Sequence, residues 1–303
     1  KDTVAAPASR ADVARDPART PFPWRQAALV LAVALVMRAL YWIPASRSLF
    51  MQTPVVDASF FDQWAQALVA GREFQAQAFF KPPLAAYVLA ALYRLGLGMQ
   101  GVLVLQLLVG AATTVVSFAI ARLAFAPRVA LAGALAGALL PILPFFEAQM
   151  VAEAWTTALA QGSLLLFLLG TRPRERRADA KLAVAGLLLG IAALGRPNLL
   201  IVLPVLAAWL AWQARANGGR APSGGAWWRS FVPLAAGCVV AIAPATLHNL
   251  RYGEFVPVSA NFGVNLLTGN SDEADGLSAI PVGVRWDGLQ LAARQRGATT
   301  PGA

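Results

Sequence analysis

The sequence predicts an all-helical integral membrane protein, and three observations carry that prediction. Of 303 residues, 58% are hydrophobic and only 13% are charged, about half the charged share of a soluble domain. The apolar residues gather in runs long enough to cross a bilayer, where about 20 residues at 1.5 Å each span a roughly 30 Å hydrocarbon core. The cations concentrate in the short segments between those runs, a pattern that sets membrane orientation. Helices are the open-chain way to satisfy the backbone in lipid, so the class is all-α.

Taken in order, residues 1–25 are rich in Ala, Pro and Arg, show no periodicity and carry Lys1, Arg10, Arg15, Arg19 and Arg25. They read as a disordered cytoplasmic tail. Residues 26–44 form the first span. The run is too long for a removable signal and lacks a small-residue cleavage site, so it reads as an anchor. Arg38 lies near its outer end and is expected to snorkel to the headgroups. Tyr41 and Trp42 mark the interface.

The first outer loop, residues 45–100, holds most of the polar chemistry. Asp57 opens a stretch in which Phe60, Phe61, Trp64, Ala65 and Leu68 share one helical face. Such a face suits a helix lying in the membrane surface, with Asp57 as its N-cap and Gly71 as its stop. Lys81 precedes Pro82 and Pro83, so its backbone is extended, and a second surface helix is expected over 83–98.

Next come the runs 101–121, 129–170, 182–212 and 231–247. The second is 42 residues long and carries an acidic joint, FFEAQMVAE, at 145–153, so it divides into two spans. The third has 31 residues interrupted by GRPN at 195–198, and divides into two short spans. The total is about seven spans within a membrane module of 26–247, followed by an extracytoplasmic segment, 248–303. With the N-terminus inside, 15 cations fall in inner segments and nine in the longer outer segments. Making 83–98 a full span would put the cation-rich loop TRPRERRADAK outside, against the positive-inside pattern.

This topology gathers Asp57, Lys81, Glu147, Glu153, Arg196 and His248 at the outer face. Charges at membrane depth persist mainly where they line a wet cavity or act on a substrate, and their one-sidedness favours an active site over a transport pathway. Asp57 suits a general base or a ligand for a divalent cation, beside its use as a helix cap. Lys81 suits a phosphate at headgroup level, beside snorkelling. On one continuous helix Glu147 and Glu153 would point about 240° apart, so only one should line a site. Glu153 is the candidate, because a helix start favours a carboxylate there. Arg196 sits in a short Gly/Pro-interrupted turn of the kind that flanks membrane binding sites. Asp62 falls on the polar side of its helix and His248 at a span end. Both are candidate substrate contacts, though a solvated charge and an interface residue are the plainer readings.

Several classes are excluded. A net charge of +10 could suit nucleic acid, but no basic stripe with interleaved aromatics is present. The lone Cys238 makes no disulfide and reads as packing. No metal-ligand spacing, P-loop or nucleophile elbow appears.

The segments VVDASFFDQWAQALVAG, FFKPPLAAYVLAALYRLGL, GLLLGIAALGRPNLL and HNLRYGEFVPVSANFGVNLLTGNSDEADG resemble bacterial glycosyltransferase family 39 over about residues 26–280. This family is related to the protein O-mannosyltransferases and the lipid A aminoarabinose transferase. The resemblance implies the C-type glycosyltransferase fold in the bacterial inner (plasma) membrane. It also implies extracytoplasmic transfer of a sugar from a polyprenyl-phosphate donor to a protein, lipid or polysaccharide acceptor. The family's catalytic acid in the first outer loop falls on Asp57 and its second acid on Glu153. Its carrier-phosphate lysine falls on Lys81 and its basic outer-turn residue on Arg196. Ala58 stands where relatives often carry a second acid, so Asp57 alone is the expected ligand of any divalent cation. Relatives usually continue into further spans and a soluble part, which makes this chain a fragment or a minimal version. The alternative reading is a non-catalytic polyprenyl-phosphate-lipid binder or transporter, which would keep its function in Asp57→Asn.

Overall fold

A computed structural model describes residues 21–172, 175–216 and 226–270. Most of the expected tail, at 1–20, and the end of the C-terminal segment, at 271–303, lie outside the described residues, as do residues 173–174 and 217–225. Every regular element among the described residues is helical: α1 Trp24–Ala45, α2 Asp57–Val69, α3 Leu84–Arg94, α4 Met99–Ala124, α5 Pro127–Ala138, α6 Ile142–Glu147, α7 Glu153–Gly170, α8 Ala178–Ala193, α9 Val202–Ala216, α10 Trp227–Arg251 and α11 Phe262–Gly269.

Both long apolar runs break where their polar joints fall. The first divides into α5, the short α6 and α7, with Pro141 just before α6 and Pro144 inside it. The second ends α8 at Ala193, passes through a 3-10 turn at Pro197–Ile201 and resumes as α9. Residues 83–98 yield only the 11-residue α3, roughly 16 Å at 1.5 Å per residue and too short to span a bilayer.

Four helices are long and apolar enough to cross a membrane: Trp24–Ala45, Met99–Ala124, Pro197–Ala216 and Trp227–Arg251. Helices α5, α7 and α8, with 12, 18 and 16 residues, complete the same bundle. Helix α1 packs on α4 and α5, α4 on α7, α7 on α8, α8 on α10, and α10 on α9. The outward faces stay apolar, as Val36, Leu40, Val205, Val239 and Val240 show by their exposure. In lipid that surface has no reason to be polar.

The closest crossing joins α8 to α10, and small residues make it possible. A side chain at Gly186 would overlap the Leu234 carbonyl, and one at Gly237 would overlap the Ala183 carbonyl. Gly190 meets Cys238 and Ala241 in the same way. Backbones that approach this closely gain packing that larger residues would deny. Cys238 is buried and unbridged here, consistent with a packing role.

Helices α2 and α3 pack on each other, between the end of α1 and the start of α4. The apolar face of α2 forms as the periodicity predicts, but Phe61 and Trp64 are buried at 6% and 4% exposure. They pack into a protein core with Leu89, Leu103 and Met150, so this face is covered by protein and not turned to lipid. Gly71 ends the element with φ +67°. Arg72 N–H then donates to the Ala67 carbonyl, a left-handed helix stop of the expected kind. Asp57 differs from expectation. Val56 takes the N-cap position with no side-chain capping bond, and Asp57 is the first helical residue, its carboxylate paired with Lys81.

Candidate functional site: paired charges at one end of the bundle

The bundle alternates in direction, so the ends of α1, α8 and α10 and the starts of α4, α7 and α9 share one end. The polar residues gather there. Three segments converge at Gly195. A side chain at Gly195 would overlap Thr156 Oγ1, and would come within 2.9 Å of Leu84 and 3.1 Å of Ala152. Leu84 N–H donates to the Leu194 carbonyl at 3.0 Å. Thus the start of α3, three residues past Lys81, meets the turn that holds Arg196 and the α7 start that holds Glu153.

Two ion pairs occupy this junction. Lys81 Nζ meets Asp57 Oδ1, and Arg196 meets Glu153 Oε1. The side chains of Asp57 and Arg196 are 58% and 57% exposed. Lys81 and Glu153 are only 20% and 24% exposed, so each pair is open on one side, where solvent screening weakens it. Lys81 Nζ also lies 5.0 Å from the Phe60 ring centroid and 5.8 Å from that of Phe61, a setting that favours a cation. The residue before Asp57, Val56, has φ 50° and ψ −120°. A β-branched residue rarely adopts positive φ, and such strain clusters at functional sites. Glu153 keeps its second oxygen, Oε2, buried without a hydrogen-bond partner, as is Thr156 Oγ1.

Asp62 and His248 stand apart from these pairs. Asp62 accepts from Tyr93 Oη at 2.5 Å and from Gln66 Nε2 at 2.8 Å, which ties α2 to α3. Burial, then the bond to Asp62, pushes the Tyr93 hydroxyl well above its ordinary range. His248 stacks on Phe79 with ring centroids 4.0 Å apart, and its Nε2 lies 3.2 Å from the Gln77 carbonyl. It therefore backs the loop that presents Lys81. Its neighbour Asn249 does more of that work. Fully buried, Asn249 accepts from Phe79 N–H at 2.8 Å and donates to the Val256 and Val258 carbonyls at 2.9 and 3.1 Å. An asparagine at the end of an apolar run carries no signal of its own in the sequence.

The largest departures concern Arg38 and Glu147. Arg38 does not snorkel. It is 3% exposed and makes a bidentate pair with Glu147, Nε to Oε2 at 2.7 Å and Nη2 to Oε1 at 2.6 Å. Glu147 and Glu153 also share one cavity, of about 150 Å³ between α1, α4, α5, α6 and α7, with Thr113, Thr114, Ser117 and Gln161 on its wall. The expectation that only one of the two acids would line a site assumed one continuous helix. The break between α6 and α7 removes that geometry.

On the other flank of α4 and α7 runs an apolar groove of about 580 Å³. Leu84 and Val88 of α3, Leu105 and Val109 of α4, Trp155 of α7 and Ile191 of α8 line it. Its upper members, Leu84 and Trp155, lie three residues past Lys81 and two past Glu153.

Among the described residues no three His, Cys, Asp or Glu side chains converge as a metal site. Asp57 has Lys81 as its partner there.

Residues 80–246 match the family described as dolichyl-phosphate-mannose-protein mannosyltransferase. The chain belongs to this family. It is therefore a membrane glycosyltransferase of the mannosyltransferase-like kind, built on apolar helices. The match begins at Phe80, directly before Lys81, and includes Glu153 and Arg196. No curated protein and no solved structure matches the chain.

Proposed function

We propose that the chain transfers a sugar from a polyprenyl-phosphate donor to an acceptor hydroxyl at the extracytoplasmic face of the membrane. One observation carries this reading: an apolar groove of about 580 Å³ is lined at one end by Leu84 and Trp155, close in sequence to two half-exposed carboxylate–cation pairs. A donor of this class is a long apolar tail, a phosphate and a sugar, and the groove and the two cations answer to its first two parts in order. The positive-inside count of the sequence supports the outward orientation.

In this mechanism the donor phosphate draws Lys81 and Arg196 from their carboxylate partners. Asp57, released from Lys81, takes the proton of the acceptor hydroxyl. The acceptor oxygen bonds to the anomeric carbon as the bond from that carbon to the phosphate oxygen breaks. Polyprenyl phosphate leaves with the electron pair. Lys81 and Arg196 stabilise the charge that develops on it. Glu153, freed from Arg196, is the second acid and orients the sugar through its hydroxyls.

Each cation should contribute about 3 kcal/mol to the transition state, by analogy with lost oxyanion donors. Lys81→Ala and Arg196→Ala should each lower turnover about 10²-fold, with the α-helical content unchanged. The measurement is release of free polyprenyl phosphate by protein in lipid nanodiscs. Wild-type rates in Lys81→Ala at limiting donor would remove the phosphate role. Donor binding by the wild type without any release would favour a carrier-lipid binder.

A further inference from the structure

The buried pair Arg38–Glu147 takes no part in the mechanism above, yet it is a costly thing to keep at membrane depth. Its surroundings show what it holds. Arg38 uses Nε and Nη2 for the two Glu147 oxygens and Nη1 for the Ala34 carbonyl at 3.1 Å. The guanidinium thereby fastens the last residue of α6 to α1. Directly beside it, Gln106 of α4 donates to the carbonyls of Glu147 at 2.7 Å and Gln149 at 2.6 Å, and accepts from Trp155 Nε1 at 3.2 Å. Gln106 thus grips both sides of the segment that contains Glu153. One turn along α4, Gly110 leaves room for the Glu147 carboxylate, which any side chain there would overlap.

We propose that Arg38, Glu147 and Gln106 are positioning residues for Glu153. They fix the joint between α6 and α7 from inside the bundle, and so set where the Glu153 carboxylate stands relative to Arg196 and the cavity it shares with Glu147. The joint has no helix of its own between Glu147 and Glu153. Its placement therefore depends on these side-chain anchors, because a short irregular segment has few backbone bonds to hold it. This inference rests on Glu153 acting in the proposed transfer, but the positioning itself is readable without activity.

The test neutralises both partners, since removing one alone strands a buried charge and risks the fold. Arg38→Met/Glu147→Met is compared with the wild-type pair in a Cys238→Ala background carrying Val151→Cys, a half-buried reporter within the joint. Labelling by a water-soluble maleimide in nanodiscs should speed up at least about 5-fold in the neutral pair. Labelling at the exposed control Thr53→Cys should not change. In the Val151 background without the cysteine, the same double variant should keep its KM for donor while kcat falls at least about 10-fold, and Arg38→Lys with Glu147 intact should restore part of kcat. Unchanged labelling at position 151 would overturn the proposal, whatever the activity. So would wild-type kcat in the double variant. A wild type that releases no polyprenyl phosphate while labelling still responds to the pair would refute the transferase reading and leave the positioning of the joint established.

Discussion

Asp57, Lys81, Glu153 and Arg196 were legible as residues because a charge is conspicuous in a chain this apolar. Their pairing was not. Lys81 finds Asp57 across 24 positions and Arg38 finds Glu147 across 109, and no local pattern reports contacts at such separation. Arg38 departs from the expectation for a physical reason: an arginine near the end of an apolar run can snorkel or find a buried acid, and composition does not choose. Asp62 shows the reverse case, a polar residue with a partner so ordinary that it reads as surface. Its bond from Tyr93 makes a prediction. Because the folded protein holds the Tyr93 proton more tightly than the unfolded chain, the stability this bond contributes is fully present below the ordinary tyrosine value of 10.0. It is lost as pH climbs above that value, towards the raised folded value. A tyrosinate absorbance titration, wild type minus Tyr93→Phe, should show this group ionising above pH 10. Ionisation at or below that point would mean that Asp62 does not engage it.

Among the elements, the breaks were the most readable features. Pro141, Pro144 and the sequence GRPN cannot continue a straight helix without loss, and both long runs divide at or near them. The face of α2 was readable as a face, but its neighbour was not. Periodicity shows which residues turn inward together, and lipid and protein satisfy an apolar stripe equally well. The α8–α10 crossing was hidden for a similar reason, since Gly186, Gly190 and Gly237 look like any small residues in an apolar run. Its tightness predicts that Gly237→Ala destabilises the protein by about 1–3 kcal/mol through overpacking. Val239→Ala, two residues on at a lipid-facing position with 57% exposure, should be near neutral. Thermal unfolding in nanodiscs separates the two, and equal midpoints would mean that the helices do not cross as closely as described.

For the whole molecule, the family match covers residues 80–246, and the alternation of helices brings the paired charges to one end. Helices α1 and α2, with Asp57, lie outside the matched residues, so the role of Asp57 rests on geometry: its contact with Lys81 across the junction and the strained Val56 before it. That makes Asp57 the sharpest point of attack. The decisive measurement is release of free polyprenyl phosphate from a pool of polyprenyl-phosphate sugars, by wild type and Asp57→Asn in lipid nanodiscs, each with and without chelator. The account predicts release by the wild type, and since its mechanism uses Asp57 as a base with no metal step, that release should persist in chelator. It predicts a rate at least about 10²-fold lower in Asp57→Asn, the loss typical of a removed general base. Equal release by the two proteins would contradict the assignment of the chemistry to this pair of charges.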